Sequence, residues 1–239
     1  MPHVTRTIDY RHGPQPLEGF LAYDESLPGP LPAVLIAHAW GGRDDFVCGK
    51  ARRLAELGYA AFALDMYGKG VLGTGPEQNA QLMQPFMADR ALLQGRMQQA
   101  LEVVKALPQV DPDRVAAMGF CFGGLCVLDL ARSGAELRGV ISFHGLFVPP
   151  AGVPNQPIRA KVLALHGYDD PMVPPEQVTA LAQELTAAGA DWQIHMYGRT
   201  THAFTNPAAN DPGFGTVYDA TADARSWLSL QSFLREVLT

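Results

Sequence analysis

A cysteine with glycine two residues to either side, Gly119-Phe120-Cys121-Phe122-Gly123, stands between two apolar runs. The first, Arg114-Val115-Ala116-Ala117-Met118, reads as a strand, and the second, Leu125 to Arg132, as a helix. A thiol on such a turn has the sequence of a nucleophile elbow. The turn forces its central residue into a strained backbone and brings strand and helix together, so the positions two before and two after must be very small. It would lift the Cys121 side chain clear of a sheet and set it over the first N–H groups of the helix, where negative charge is favoured. The plain alternative is a small hydrophobe packed between two phenylalanines, and the five residues alone do not decide between the two.

A nucleophilic thiol needs a base, and the base needs an orienting group. The chain offers both in the order nucleophile, acid, histidine. Lys161 to His166 is a short apolar strand run closed by Gly167, followed by Tyr168-Asp169-Asp170-Pro171. Either aspartate, just past the end of a buried strand, could face a neighbouring loop, and either could simply form a turn beside proline. Trp192 to Tyr197 alternates as a strand does, Gly198 breaks it, and His202 follows on the loop before the last helical stretch. His202 would take the thiol proton, hold it as imidazolium and return it to the leaving group. The remaining histidines have weaker claims: His195 lies within a strand run, and His3 and His12 in the N-terminal segment. His166 is at a strand end, as are His38 and His144, which are placed to line a site there.

Three segments, Gly119-Phe120-Cys121-Phe122-Gly123-Gly124, Gly167-x-x-Asp170-x-x-Val173-Pro174 and His202-Ala203-Phe204, resemble in kind and order the motifs of the dienelactone hydrolase family of α/β-hydrolases. The resemblance runs from about Val4 to Leu238. It selects Asp170 over Asp169 and implies a Cys121, His202, Asp170 triad that hydrolyses an ester or lactone through a covalent acyl-thioester. One oxyanion donor would be the Phe122 N–H, next after the nucleophile, and the other would come from the loop after the third strand, Ala39-Trp40-Gly41-Gly42-Arg43. The resemblance makes that second donor the Trp40 N–H.

Two departures from the family matter. Dienelactone hydrolases proper carry a glutamate where this chain has Ala39, an acid thought to hold the resting thiol protonated, so Cys121 is expected to pair with His202 in the resting enzyme. Members acting on dienelactone place an arginine shortly after the His-x-Phe motif to grip the substrate carboxylate, whereas this chain reads Thr205-Asn206-Pro207. Arg90, Arg96 and Arg199 remain as anion contacts, each equally readable as solvated surface. Dienelactone itself is therefore not the expected preferred substrate.

The elements that must position these residues follow from periodicity. Strands are expected near 4 to 10, 17 to 23, 33 to 38, 59 to 64, 114 to 119, 138 to 143, 161 to 166 and 191 to 197, with helices over Val47 to Leu57, Asp89 to Leu107, Leu125 to Arg132, Pro175 to Ala188 and Thr216 to Leu238. Two leading strands and then strand–helix alternation indicate an α/β fold with a mostly parallel sheet and an antiparallel edge. Ligands bind such sheets at the carboxyl ends of the strands. Tyr67 to Phe86, rich in Gly, Gln and Pro, reads as a loop beside the cleft, and no room is left for a large cap domain. Trp40, Phe122, Tyr168 and Phe204 are expected to wall the pocket and bind substrate, because they flank the catalytic positions in sequence.

At 239 residues and 47% hydrophobic, without a compositional break, the chain is expected to form one domain over 1–239. A net charge of −6 and the lack of a basic run argue against nucleic acid or an anionic membrane as partner. No stretch is apolar enough to span a bilayer, the N-terminus lacks a signal-like segment, and three cysteines without metal-ligand spacing suit reduced thiols in the cytoplasm. No metal or other cofactor is expected, and both monomer and homodimer stay open. A neutral phosphotriester would suit the same thiolate, a peptide or thioester is disfavoured by the lack of a carrier-recognition feature, and a non-catalytic ligand sensor is the rival of another class.

Overall fold

The computed structural model describes residues 3–239; Met1 and Pro2, part of the N-terminal segment read above, lie outside the described residues. In chain order the elements are β1 (His3–His12), β2 (Gln15–Asp24), β3 (Leu31–Ala37), α1 (Asp45–Ala55), β4 (Ala60–Ala63), α2 (Pro76–Ala88), α3 (Arg90–Lys105) and β5 (Val110–Phe120). There follow α4 (Phe122–Arg132), β6 (Gly139–Phe143), β7 (Lys161–Gly167), α5 (Pro175–Ala187), β8 (Trp192–Tyr197), β9 (Asn210–Asp211), β10 (Thr216–Val217) and α6 (Ala220–Leu238). Eight strands form one sheet in the order β1-β2-β4-β3-β5-β6-β7-β8. β1, β2 and β4 pair antiparallel at one edge, and every pairing from β4 to β8 is parallel. This is the α/β-hydrolase fold, and among the described residues it carries no large cap domain.

Strand side chains alternate between faces, so each parallel strand feeds two cores. In β3, Ala33 and Leu35 join the cluster under α3, α4 and α5, while Val34 and Ile36 join the one under α1 and α6. In β5, Val115 and Ala117 take the first face and Ala116, Met118 and Phe120 the second. Both faces being covered there, residues 33–37 of β3 and 115–120 of β5 are apolar throughout, and each fully buried large side chain stabilises the fold by roughly 1.5–3 kcal/mol.

Two expected boundaries are corrected. Of Tyr67 to Phe86, expected as loop, residues 76–86 belong to α2, which has Pro76 in its first turn and buries Phe86 alone. A proline within the helix (Pro85) and the absence of a side-chain cap hide its periodicity. The last helix begins at Ala220, not Thr216, because Asp219 caps it by accepting the Ala222 N–H and Thr216–Val217 pair with Asn210–Asp211 in a small hairpin.

Candidate active site

Strand β5 ends in Phe120 and α4 begins with Phe122, so Cys121 alone makes the turn, at φ 55° and ψ −115°. A β-carbon at this left-handed φ is disfavoured by about 1–3 kcal/mol. What holds it there is the approach of strand to helix: a Cβ on Gly119 would collide with the Gly123 carbonyl, and one on Gly123 with the Ala37 carbonyl. The Cys121 N–H donates to Phe143 O at 3.0 Å, tying the turn to β6. The half-buried thiol emerges at the carboxyl edge of the sheet, into a cavity of about 300 Å³.

The acid and base arrive from the next parallel strands. Beyond β7, Asp170 is buried and Asp169 exposed. Asp170 Oδ1 accepts the Met172 N–H at 2.8 Å and Oδ2 lies 2.7 Å from His202 Nδ1. Beyond β8, His202 is held through its main chain by the hairpin of β9 and β10, its N–H donating to Gly215 O at 3.0 Å and its carbonyl accepting from Val217 at 3.1 Å. The next residue, Ala203, also has a left-handed backbone, φ 57°. His202 Nε2 is buried and makes no well-formed hydrogen bond, although the Cys121 sulfur is near enough to act on it.

Electrostatics set the protonation of this imidazole. Burial alone would lower the His202 pKa; the Cys121 sulfur charge and the hydrogen bond with Asp170 outweigh it and raise the value to about 10. Beside it, the His144 ring meets the His202 ring edge-on at 5.1 Å. Burial first, and then the neighbouring His202 charge, push the His144 pKa well below its ordinary value. One imidazole is thus favoured as a cation and the other as neutral.

The two residues expected from sequence to supply oxyanion donors come from different elements. Phe122 is the first residue of α4 and Trp40 lines the cavity. Among the described residues neither N–H donates to another protein atom. Of the four aromatic residues expected to wall the pocket, only Trp40 does so. The Phe122 ring is fully buried beneath the site, stacked on Tyr67 at 6.0 Å. The Phe204 ring is buried against His144 and Tyr197. Tyr168 is 51% exposed, outside the cavity. Each sits on a turn, where sequence adjacency to a catalytic residue does not fix the direction of a side chain.

The walls come from residues the sequence did not single out. Met83, Leu146 and Met172 supply apolar surface, and Phe214, half-exposed on the hairpin, stacks on Trp40 at 5.9 Å and 12°. The Gly213-Phe214-Gly215 turn was the one available signal. No arginine or lysine lines the cavity among the described residues, and its single carboxylate outside the triad is Asp44. Arg90 is buried on Asp129, at 2.6 and 2.7 Å, and Arg96 donates to Met66 O and His12, so neither is the solvated residue expected nor a cleft contact. Arg199 is exposed and away from the cavity. No group of three His, Cys, Asp or Glu among the described residues is arranged to hold a metal, and no helix there is long and apolar enough to cross a membrane.

A family model, the dienelactone hydrolase family, matches residues 17–238. A putative carboxymethylenebutenolidase of Aquifex aeolicus (strain VF5) is 29% identical over 216 residues, 87% of this chain and 89% of the relative. An uncharacterised protein of Caenorhabditis elegans is 38% identical over 147 residues, 60% of this chain and 93% of its own. Among solved structures, a dienelactone hydrolase-like promiscuous phosphotriesterase from metagenomic libraries is 38% identical with a TM-score of 0.95, covering 99% of both chains.

Proposed function

The chain belongs to the dienelactone hydrolase family and is a hydrolase, and from that premise we propose that it cleaves small, uncharged carboxylic esters and lactones with a Cys121, His202, Asp170 triad. One observation carries this reading: a buried imidazole with Nδ1 fixed on Asp170 at 2.7 Å, the Cys121 sulfur near it, and Nε2 left without a settled partner. The Cys121 thiolate attacks the carbonyl carbon, and the developing oxyanion accepts hydrogen bonds from the Phe122 and Trp40 N–H groups. As the C–O bond breaks, His202 gives its Nε2 proton to the leaving alkoxide. Water then attacks the thioester, losing a proton to His202, and the C–S bond breaks to return the thiolate beside an imidazolium.

The lining supports an uncharged substrate. A substrate carboxylate would meet Asp44 and no cation, so dienelactone, an anion, is disfavoured as the preferred substrate. A nucleophilic thiol is also best preserved in a reducing compartment, which supports the cytoplasm as the place of action.

The similarity to a promiscuous phosphotriesterase favours a second reading, in which the same thiolate attacks the phosphorus of a neutral triester. Turnover of p-nitrophenyl butyrate and diethyl p-nitrophenyl phosphate, which release the same phenol, separates the two. The expected result is faster release from the carboxyl ester, with both activities lost in Cys121→Ala. A preference for the phosphate would make phosphorus the main electrophile, and turnover surviving in Cys121→Ala would refute the triad.

A further inference from the structure

The peptide that presents the Trp40 N–H has its carbonyl on Ala39, and that carbonyl is gripped from behind. His38 is fully buried, and its Nδ1 lies 2.6 Å from Ala39 O. Its other nitrogen, Nε2, accepts the Met66 N–H at 3.2 Å. A nitrogen that accepts carries no proton, so the ring proton of a neutral His38 is on Nδ1, and Nδ1–H donates to Ala39 O. Burial lowers the His38 pKa, in keeping with the neutral ring. In a trans peptide the C=O and N–H point in opposite directions. Fixing the Ala39 carbonyl therefore fixes the line along which the Trp40 N–H points.

Two further contacts act on the same loop. The Gly42 N–H also donates to Ala39 O, at 3.2 Å. The Tyr67 hydroxyl donates to the carbonyl of the following peptide, Trp40 O, at 2.9 Å. His38 is the side chain that anchors the Ala39 carbonyl itself, and its own orientation is set in turn by the Met66 N–H from the loop after β4.

We propose that His38 is a positioning residue for the oxyanion hole, its Nδ1–H tautomer aiming the Trp40 N–H at the reacting carbonyl oxygen. This rests on the reading of Cys121 as an ester-attacking thiolate. His38 does not touch substrate; it acts through a peptide, and its effect falls on steps that develop an oxyanion.

Asparagine and leucine are nearly isosteric, and both remove the acceptor for Met66, but only asparagine keeps an N–H donor near the Nδ1 position. Acylation by p-nitrophenyl butyrate is measured as the burst rate, and alkylation by iodoacetamide as loss of free thiol. Alkylation forms the C–S bond by expelling iodide and passes through no oxyanion, so it reads the thiolate alone. His38→Leu is expected to slow acylation about a hundredfold, near the lower end for losing one oxyanion donor, with KM little changed and alkylation within about twofold of wild type. His38→Asn is expected to recover most of the acylation rate. Equal acylation in the two variants, or alkylation falling in step with acylation, would overturn the proposal. If wild type forms no Cys121 adduct with the ester, the underlying reading fails instead. Should His38→Leu not fold, nitrogen-15 shifts of the wild-type His38 ring decide: a proton on Nδ1 supports the assignment, and a proton on Nε2 overturns it.

Discussion

The charge on His202 depends on the Cys121 sulfur, and this has a measurable consequence. The His202 pKa of about 10 depends on the sulfur beside it as well as on Asp170. In Cys121→Ala, a proton NMR titration of the His202 ring is expected to give a clearly lower value than in wild type; an unchanged value would show that the sulfur does not act on the ring. The sign for stability follows from linkage: a raised pKa is a contribution fully present below the unfolded value near 6.5 and lost as pH rises through about 10. Asp170→Asn leaves an amide opposite Nδ1 and no longer fixes the tautomer, so kcat should fall about a hundredfold with KM little altered; a loss under threefold would remove Asp170 from the mechanism. That Asp170 and not Asp169 meets His202 agrees with the spacing of the family motif. The side-chain directions of Phe122, Tyr168 and Phe204 were not legible in the sequence, because they depend on turn dihedrals that only tertiary contacts fix.

At the scale of elements, the elbow is held by close packing of glycines. Gly123→Ala would drive a methyl group into the Ala37 and His38 carbonyls, backbone that cannot retreat without separating α4 from β3. The expected result is a fall in thermal midpoint together with loss of esterase burst; a stable, active Gly123→Ala protein would contradict the account of the turn. The hairpin of β9 and β10 bridges two functions, since its main chain holds His202 and its tip carries Phe214 onto Trp40. It was not readable from sequence, as two-residue strands leave no periodicity. α2 was missed for a related reason: with one buried side chain it has no apolar stripe to reveal it. The eight main strands were legible, since the central ones carry apolar runs such as residues 33–37 and 115–120 and β8 alternates.

The molecule as a whole keeps several ionisable groups dry. His38, His144 and His166 are buried, and burial is the main force lowering the pKa of each. Their folded forms refuse protons that the unfolded chain accepts, so their contribution is present above about pH 6.5 and lost as pH falls below it. Urea unfolding should give a smaller stability at pH 5.5 than at 7.5, with each of the three changing it by at most about 1.4 kcal/mol per pH unit and His202 opposing them; a stability that is larger at pH 5.5 would show that the three rings titrate freely and leave only the His202 effect. On the α4 side Asp129, fully buried, pairs with both Arg90 and Arg132. Arg132 is also held by Glu184, so Asp129→Ala strands chiefly the buried Arg90 guanidinium and should cost about 3–5 kcal/mol, read as a lower urea midpoint.

The central claim is that Cys121 becomes acylated on the way to hydrolysis. Its most direct test is intact-mass detection of the protein quenched within the burst phase of p-nitrophenyl butyrate, for wild type, Cys121→Ala and His202→Ala. A butyryl adduct on Cys121 that forms with the burst, decays with turnover and is absent from Cys121→Ala is the expected result. Turnover without an adduct at any quench time, or an adduct persisting in Cys121→Ala, would contradict it.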